Sequence, residues 1–409
     1  MKVNKDIKIR SVSIQSYKGV DDVTIDCSKP EKSDEVFQWT VLLGNNNTGK
    51  TRILQAIASM RPVINSELPK RGSETPLFIP SRYNNNPKSG IICTITDLNT
   101  EWKYSSNAPF FLKNRNESKE YIRLFGYGVS RYPAVNTNTV SEQNQEGDYC
   151  DTLFTHEKRL VNIQEWLMQL DYSVKNNNQA MQKRLDKVRE VICSNIFPEI
   201  DDFKFVSSDN ARNYVLFKTK DGWFRYNELG FGYQSMLSWV VDLCKRMFET
   251  FPNSKNPLLE SAVVLVDEID LHLHPKWQRE IISYVSEIFK NVQFIVTTHS
   301  PLIIQSMQEV NLYVLRREDE KIVVEHSPVT NFSGWDVEEI LRDTMKLDND
   351  IHSNFLQNTY KMFDEGLDNN DVAKAREAYN TLIKILHPTN PARRLLKLQL
   401  SQMEIDDKD

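Results

Sequence analysis

The stretch that decides the fold is Val41-Leu42-Leu43-Gly44-Asn45-Asn46-Asn47-Thr48-Gly49-Lys50-Thr51. The apolar run over residues 39–43 predicts a buried strand, and the pattern over residues 52–60 predicts a helix. Between them, two glycines permit backbone angles that a side chain would forbid. Successive N–H groups in such a loop, together with the helix N-terminus, form a concave positive site. The stretch therefore predicts a binding site for phosphate groups.

The spacing Gly-x4-Gly-Lys-Thr, placed between a strand and a helix, is the P-loop pattern. Lys50 can reach the β- and γ-phosphates of a nucleotide, and the Thr51 hydroxyl can ligate Mg²⁺. The alternative is a glycine turn with a chance Lys-Thr, and the motifs further along the chain argue against it. The residues predicted to bind the nucleotide here are Gly44, Asn45, Asn46, Asn47, Thr48, Gly49, Lys50, Thr51 and Arg52.

The composition of the whole chain is that of an ordinary globular protein. Its 409 residues are enough for one or two domains. The net charge of −5 argues against a non-specific nucleic-acid coat, although a local basic groove is compatible with it. No apolar run approaches the roughly 18 residues of a membrane span. The five scattered cysteines predict neither a zinc site nor a disulfide framework, so we expect a cytoplasmic protein.

Two later apolar runs end in polar residues. Residues 263–266 lead into Asp267-Glu268, and residues 294–296 lead into Thr297-Thr298-His299. With a predicted helix over residues 276–289 between them, these runs predict parallel strands joined by a crossover helix, and hence an α/β fold. In such sheets, functional groups lie at the carboxyl ends of the strands. The sequence therefore predicts that these polar residues meet the P-loop.

Each of these polar residues has a predicted role in nucleotide chemistry. Asp267 follows the Walker B pattern and would hold Mg²⁺ together with Thr51. Glu268 would act as the general base that polarises the attacking water. His299 would sense the γ-phosphate, because a neutral imidazole can donate to a phosphate oxygen and accept from a neighbour. We therefore predict Glu268 and His299 as catalytic residues, and Thr51 and Asp267 as metal ligands.

These motifs together resemble the ABC-type ATPase superfamily, and within it the branch of structural-maintenance (SMC), Rad50-like and overcoming-lysogenization-defect ATPases. The resemblance rests on Asp270-Leu271-His272-Leu273-His274-Pro275, which is similar to a D-loop, and on Thr298-His299-Ser300-Pro301, which matches a His-switch motif. It implies an α/β fold like an ABC or SMC head, with a mixed β lobe, a parallel core sheet, a helical insertion at about 150–198 and a C-terminal helical tail. The head would span residues 1–330 and the tail 331–409.

The resemblance also implies a second half-site. The signature motif of these ATPases has the form Leu-Ser-x-Gly-x-Gln, and here the serine is replaced by Gly230. In the family this loop caps the γ-phosphate held by the opposite subunit, which implies a head-to-head homodimer that binds two ATP. The missing hydroxyl leaves open whether hydrolysis is fast or slow, and a simple glycine-rich turn is the alternative. The residues concerned are Leu229, Gly230, Phe231, Gly232, Tyr233 and Gln234.

Three details of the sequence leave alternatives open. No glutamine follows the predicted strand over residues 121–129, where the family has its Q-loop; Arg131 there could contact phosphate or form a salt bridge. Tyr17, next to Lys18, could stack on adenine or belong to the core. The apolar stripes of the C-terminal helices could pack on themselves, pack on the head, or form a docking surface for a partner.

A nuclease within this chain is not expected, because no aliphatic strand ends in Asp-x-Asp and no His-Asn-His cluster exists. A stand-alone ATPase of this kind resembles the ATPase subunits of bacterial antiphage systems, in particular the Septu ATPase, which is also found with retrons. The stretch from Gly334 to Asp343 adds to this resemblance. It implies a separate HNH nuclease, gated by the ATP state, with DNA reached through that partner or a local groove. The alternative is a DNA-repair or recombination ATPase of the SMC or RecF type that acts directly on DNA.

Overall fold

The computed structural model describes residues 8–58 apart from 16, 18 and 21, and then residues 90–95, 101–105, 123–133, 149–207, 213–319, 321–347 and 352–406. The sequence pattern predicts loops over residues 62–88 and 134–149, and of these residues only Tyr149 lies within the described ranges. The chain divides into two compact units, Met1–Val337 and Glu338–Asp409. Among the described residues, no helix has both the length and the apolar character needed to cross a bilayer.

The strands, in chain order, are β1 (Ile9–Gln15), β2 (Val23–Asp26), β3 (Ser28–Lys29), β4 (Lys32–Val36), β5 (Trp39–Gly44), β6 (Gly90–Ile95), β7 (Glu101–Ser105), β8 (Leu124–Tyr127), β9 (Asp202–Ser207), β10 (Asn213–Thr219), β11 (Gly222–Arg225), β12 (Ala262–Val266), β13 (Val292–Thr298), β14 (Asn311–Glu318) and β15 (Lys321–His326). The strand predicted over residues 39–43 is β5, and the preceding strand β4 is a separate element that ends at Val36.

The helices are α1 (Lys50–Ala58), α2 (Ile163–Lys175), α3 (Gln179–Ile192), α4 (Phe231–Thr250), α5 (Pro275–Gln278), α6 (Ile281–Ile288), α7 (Pro301–Gln305), α8 (Val337–Glu339), α9 (Asn354–Asp368), α10 (Val372–Ile385) and α11 (Ala392–Asp406). Short 3₁₀ turns lie at Asp151–Leu153, Tyr226–Glu228 and Pro257–Leu259, and a π-helical turn spans Ile340–Thr344. The helix predicted over residues 276–289 is interrupted between α5 and α6.

A six-stranded sheet forms the centre of the first unit, in the order β15-β14-β5-β13-β12-β8. All neighbouring strands are parallel except β15, which is antiparallel to β14 at the edge. Every residue of β5, β12 and β13 is buried. Strands covered on both faces need continuous apolar runs, which is why these segments show no alternation. The predicted α/β fold with a parallel core sheet is confirmed.

An antiparallel lobe, β2-β1-β6-β7, supplies the mixed β part of the fold. Residues of β1 and β2 alternate between the two faces of the sheet, and their inward side chains join one apolar cluster with residues of α1, β5 and β12. Tyr17 is 1 % exposed and belongs to this cluster. Of the two roles considered for Tyr17, the structure therefore favours the core; Lys18 lies outside the described residues.

The helical insertion consists of α2 and α3, followed by the antiparallel sheet β11-β10-β9. The predicted apolar face of α3 is buried at Leu185, Val188 and Ile192. The next helix, α4, begins at Phe231 and not at Met236 as the sequence pattern suggests. The signature residues from Phe231 to Gln234 thus form the first turn of a helix.

The second unit has its own apolar core, formed by α9, α10 and α11. Phe363, Leu382 and Leu396 are among its buried residues, and Gly366 lets α9 approach the backbone of Ala375 closely. The helix expected over residues 334–345 is instead a turn followed by α8 and the π-helical turn. The Trp335 ring packs on Phe332 at 5.2 Å between centroids, and the N–H of Trp335 donates to Phe332, so tertiary contacts override helix propensity there.

Candidate nucleotide-binding site

Four neighbouring strands of the core sheet end at the same edge, and each contributes polar residues there. β5 leads into the P-loop, β12 into Asp267 and Glu268, β13 into Thr297 to His299, and β8 into the segment that holds Arg131. The parallel register between β12 and β13 places Val266 opposite Val296, so both strands reach this edge together.

The P-loop glycines are required by close contacts as well as by backbone angles. A Cβ on Gly44 would lie 2.4 Å from the main-chain oxygen of Leu315, so no side chain fits. Gly49 has a φ of +89°, in the left-handed region that favours glycine. The Thr48 hydroxyl donates to the Asn45 carbonyl at 2.8 Å and stabilises the turn. The loop is therefore built as a backbone cradle, as the sequence predicts.

Lys50 lies folded back onto this cradle. Its Nζ donates to the main-chain oxygens of Gly44 at 2.7 Å and Asn45 at 2.8 Å, and the residue is 6 % exposed. Burial lowers the pKa of Lys50 to about 8, because the attraction of Asp267, Glu268 and Asp270 only partly offsets desolvation. The ammonium group thus has partners that phosphate oxygens could replace.

Asp267 links the P-loop to the neighbouring strand. Its carboxylate accepts one hydrogen bond from the Thr51 hydroxyl at 2.7 Å and another from the Thr297 hydroxyl at 2.6 Å, and the residue is 2 % exposed. Thr51 and Asp267, the two predicted metal ligands, are therefore in contact. Thr297 was not predicted as a site residue. Its position near the end of β13, the strand next to β12, is the feature of the sequence that could have indicated it.

Glu268 has an unusual backbone conformation, with a φ of 48°. Its N–H donates to the Thr297 hydroxyl at 2.7 Å, so one side chain binds both acidic residues of the motif. The Glu268 Oε1 lies 3.6 Å from the Nε2 of His299, and both side chains are about one-third exposed. The two predicted catalytic residues thus stand side by side at an accessible edge.

Arg131 is buried behind these acidic residues, at 2 % exposure. Its Nη2 donates to the main-chain oxygen of Glu268. Burial lowers the pKa of Arg131 to about 10, against the attraction of Asp267, Asp270 and Glu268. The structure therefore gives the Arg131 guanidinium a main-chain partner, the Glu268 carbonyl, which is neither of the two contacts considered from the sequence.

The D-loop and His-switch segments are joined by side-chain hydrogen bonds. The Thr298 hydroxyl donates to Asp270, and the Ser300 hydroxyl donates to Gln278 at 2.7 Å. The His274 ring accepts from the N–H of Lys276 and caps α5, while Ser300 caps α7. These bonds fix the two segments that flank His299.

The signature residues form a separate feature at the start of α4. Gly230 is the N-cap residue, and the Gln234 side chain donates to the Leu229 carbonyl at 2.6 Å. Phe231 is 71 % exposed, whereas Tyr233 packs on Trp277 at 4.5 Å between ring centroids. A Cβ on Gly232 would lie 2.8 Å from the His272 carbonyl oxygen, but one on Gly230 would meet nothing within 4 Å. Gly230 therefore presents open backbone beside an exposed aromatic ring, whereas Gly232 is closely packed.

The remaining P-loop residues lie at the surface of the same cradle. Asn45, Asn46, Asn47 and Arg52 are exposed, and Arg52 Nη1 approaches Gly19. Among the described residues, no group of three or more His, Cys, Asp or Glu side chains is arranged to hold a metal ion by itself. Mg²⁺ bound with a nucleotide needs only one or two protein ligands, since phosphates and water supply the others. The Thr51–Asp267 pair fits that requirement.

Comparison with known proteins identifies two overlapping family matches. A family model described as an AAA ATPase domain matches residues 7–163, and one described as an AAA domain, putative AbiEii toxin, Type IV TA system, matches residues 152–305. The first match includes the P-loop, and the second includes the Asp267-Glu268 motif. They confirm the predicted resemblance to AAA ATPases.

Individual relatives extend this similarity over most of the chain. The Septu protein PtuA of Bacillus thuringiensis is 27 % identical over 376 residues, which cover 88 % of this chain and 92 % of the relative. The retron Ec83 probable ATPase of Escherichia coli is 24 % identical, over 98 % of this chain and 88 % of the relative. The predicted resemblance to Septu and retron ATPases is confirmed.

Solved structures show a more remote likeness. An SMC head domain with an extended coiled coil, derived from Pyrococcus furiosus and bound to the C-terminal domain of ScpA, has a TM-score of 0.43 and 13 % sequence identity. The aligned part covers 85 % of this chain and 100 % of that one.

Proposed function

From its kinship with Septu and retron ATPases, we propose that this chain is the ATP-binding and ATP-hydrolysing subunit of a bacterial antiphage defence complex. It would serve as sensor and scaffold, and its ATP state would gate a partner HNH nuclease. The observation that carries the proposal is the cluster at the sheet edge, where Thr51 contacts Asp267 and Glu268 lies beside His299. The proposed place of action is the cytoplasm.

The proposed reaction converts ATP and water to ADP and phosphate. Lys50 and the P-loop N–H groups would bind the phosphates, and the Thr51 and Asp267 oxygens would hold Mg²⁺, which supplies positive charge to the phosphate oxygens. Glu268 would take the proton of the attacking water while that oxygen bonds to the γ-phosphorus and the bond to ADP breaks. The imidazole of His299 lies close enough to Glu268 to orient the same water.

A head-to-head homodimer is part of the proposal. The P-loop of one subunit and the Leu229 to Gln234 segment of its mate would enclose each ATP. The N–H groups at the start of α4 are suited to an anion, because a helix N-terminus carries partial positive charge. Phe231 is compatible with this reading, since it is 71 % exposed and aromatic residues are enriched at protein interfaces. ATP binding would then couple subunit contact to the γ-phosphate.

The second compact unit is the proposed docking site for the nuclease. Its helices leave several large apolar side chains in solvent although the unit has a core of its own. Isolated exposed apolar residues are common, but several on three short helices favour a partner surface. These residues, here called the tail surface, are Phe355, Met362, Ile385, Leu395 and Leu398.

ATP hydrolysis by the purified protein with Mg²⁺ is the first test, measured as phosphate release. We expect turnover in the wild type and none in Lys50→Ala, because the ammonium group is the principal phosphate contact of the cradle. Lys187→Ala is the matched control, since the Lys187 side chain is 41 % exposed on α3 and forms an ion pair with its helix neighbour Glu190. Equal phosphate release by wild type and Lys50→Ala would contradict the proposed ATP hydrolysis at this site.

The proposed docking of a nuclease on the tail surface is tested by co-purification with an HNH nuclease encoded at the same locus. The variant Phe355→Ser/Leu395→Ser/Leu398→Ser should lose the nuclease while still binding ATP, because these side chains are more than half exposed and contribute little to the fold. Tyr172→Ser, a 71 % exposed position on α2, should retain it. Retention of the nuclease by the triple variant would end the tail-surface proposal. Salt-dependent DNA binding by the ATPase alone would instead favour the DNA-repair alternative.

A further inference from the structure

Arg131 occupies an unusual position for a cation. It follows the edge strand β8, yet it is almost completely buried, where the charges of Asp267, Asp270 and Glu268 raise its pKa and only partly offset the lowering by burial. Within the described part of the chain, its Nε has no hydrogen-bond partner. Burying a charge with an unsatisfied donor is unfavourable, so a purely structural arginine here would be a poor choice. This residue needs another explanation.

The Nη2 of Arg131 is committed to a main-chain atom. It donates to the carbonyl oxygen of Glu268, the residue proposed as general base. Glu268 has a positive φ of 48°, a conformation that non-glycine residues adopt only when the surroundings impose it. The carbonyl therefore needs a fixed partner, and Arg131 provides one.

The opposite side of the same residue is held as well. The N–H of Glu268 donates to the Thr297 hydroxyl, and the next N–H, that of Ile269, donates to the Thr297 carbonyl. Before it, the N–H of Asp267 donates to the Tyr127 carbonyl in β8. Strand β13 thus fixes Glu268 on its amide side and Arg131 fixes it on its carbonyl side. These bonds fix the direction in which the Glu268 side chain leaves the main chain.

We propose that Arg131 is a positioning residue for ATP hydrolysis, which acts by holding the Glu268 backbone so that the carboxylate stays beside His299. It stands where related ATPases have the Q-loop, but its contact is with the main chain of the base and not with phosphate. This inference rests on the proposed ATPase function. It separates two roles, since a phosphate ligand would govern ATP affinity whereas a positioning residue governs turnover.

The test compares Arg131→Lys and Arg131→Gln with wild type. Lysine keeps the charge but lacks the planar fork, so both variants should lower kcat by about tenfold or more, as small misplacements of a catalytic group commonly do. The dissociation constant for a fluorescent ATP analogue should stay within about twofold, because no phosphate contact is lost. Arg159→Lys is the matched control, since Arg159 is exposed and stacks on Tyr132 in the same segment.

A double-mutant cycle gives a readout that general destabilisation does not produce. If Arg131 acts through Glu268, Arg131→Lys should cause little further loss of the residual hydrolysis in a Glu268→Gln background, whereas independent effects would multiply. Melting temperatures of all variants identify any that unfold. If Arg131→Gln unfolds, Arg131→Lys still provides the test.

Three results overturn the inference. They are unchanged kcat in both variants, a selective loss of affinity for the ATP analogue over ADP, and multiplicative losses in the cycle. Absence of hydrolysis by the wild type would instead refute the proposed function, so the two failures are distinguishable.

Discussion

The P-loop side of the site and the signature segment both place glycines before a helix, but their surroundings differ. At the P-loop, Lys50 and Asp267 are nearly buried, and their polar atoms are bonded within the same chain. At the signature segment, Phe231 is mostly exposed, and a Cβ added to Gly230 would meet nothing within 4 Å. The polar groups of the P-loop side find their partners within the same chain, whereas the signature segment presents its groups to the solvent.

This difference shows where specificity for a second molecule can reside. A buried, hydrogen-bonded cluster is pre-organised and changes little on binding. An open helix start with an exposed ring gains partners only when something docks on it. Under the proposed dimer, the first region would set the chemistry and the second would report whether another subunit is present. The four predictions below test this division in order of expected effect.

The largest effect is expected from Glu268→Gln, on the P-loop side of the site. Loss of the general base should lower hydrolysis by about 10²–10⁴-fold, while ATP remains bound because the P-loop is unchanged. Phosphate release and ATP-dependent dimerisation, followed by light scattering, measure the two halves of the prediction. Glu287→Gln, an exposed position on α6, is the control. Hydrolysis at the wild-type rate would exclude Glu268 as the base.

The second prediction concerns Thr297, whose hydroxyl binds both acidic residues. Thr297→Val keeps the shape but leaves a buried carboxylate oxygen and an N–H unpaired, which should lower the free energy of unfolding by about 1–3 kcal/mol. Chemical denaturation measures it. Thr250→Val is the matched control, because the buried Thr250 hydroxyl has no hydrogen-bond partner among the described residues. Equal effects of the two substitutions would mean that the bonds of Thr297 add nothing to stability.

The third prediction is a pH dependence of ATP affinity. Burial lowers the pKa of Lys50 to about 8 in the nucleotide-free protein, and bound phosphates would raise it again. Above pH 8, binding must therefore take up a proton, and the dissociation constant should rise with pH by up to about tenfold per unit. Below pH 8, Lys50 is charged in both states and contributes no slope.

Equilibrium titration between pH 7 and 9.5 at constant Mg²⁺ checks this third prediction. In Lys50→Arg, any remaining affinity should lack the slope, because a guanidinium stays protonated throughout that range. A flat wild-type profile would show that the Lys50 ammonium is not depressed in this way.

The smallest effect is expected in the signature segment. Gly230→Ser adds the hydroxyl of the usual signature, meets no atom within 4 Å, and places serine at the N-cap of α4. It should raise stability by a few tenths of a kcal/mol at most. Gly232→Ser is the contrast, because its Cβ would lie 2.8 Å from the His272 carbonyl oxygen and displace the helix start. Equal melting temperatures for the two variants would contradict the difference in packing.

The sequence was sufficient for residues whose role depends on a local pattern. The P-loop, the Asp267-Glu268 pair and His299 each stand at the end of an apolar run, and parallel pairing then brings them to one edge. Thr297 and Arg131 were less accessible to prediction. Their contacts depend on which strands are neighbours in the sheet, and residues 131 and 268 become partners through the adjacency of β8 and β12.

The differences at helix ends have local causes. Glycines and aromatic residues suggested a loop up to Met236, yet α4 begins at Phe231 because Gln234 closes the first turn onto Gly230. Around Trp335, aromatic packing on Phe332 delays the expected helix to Val337. In both places, contacts beyond the immediate window decide the boundary.

The order of strands in the core sheet has a consequence for protein synthesis. β5, which carries the P-loop, pairs with β13 and β14, and those strands lie more than two hundred residues further along the chain. A ribosome must therefore release almost the entire first unit before the cradle can close around a nucleotide. Nascent and prematurely terminated chains would not bind ATP, so unfinished copies could not enter an ATP-dependent assembly.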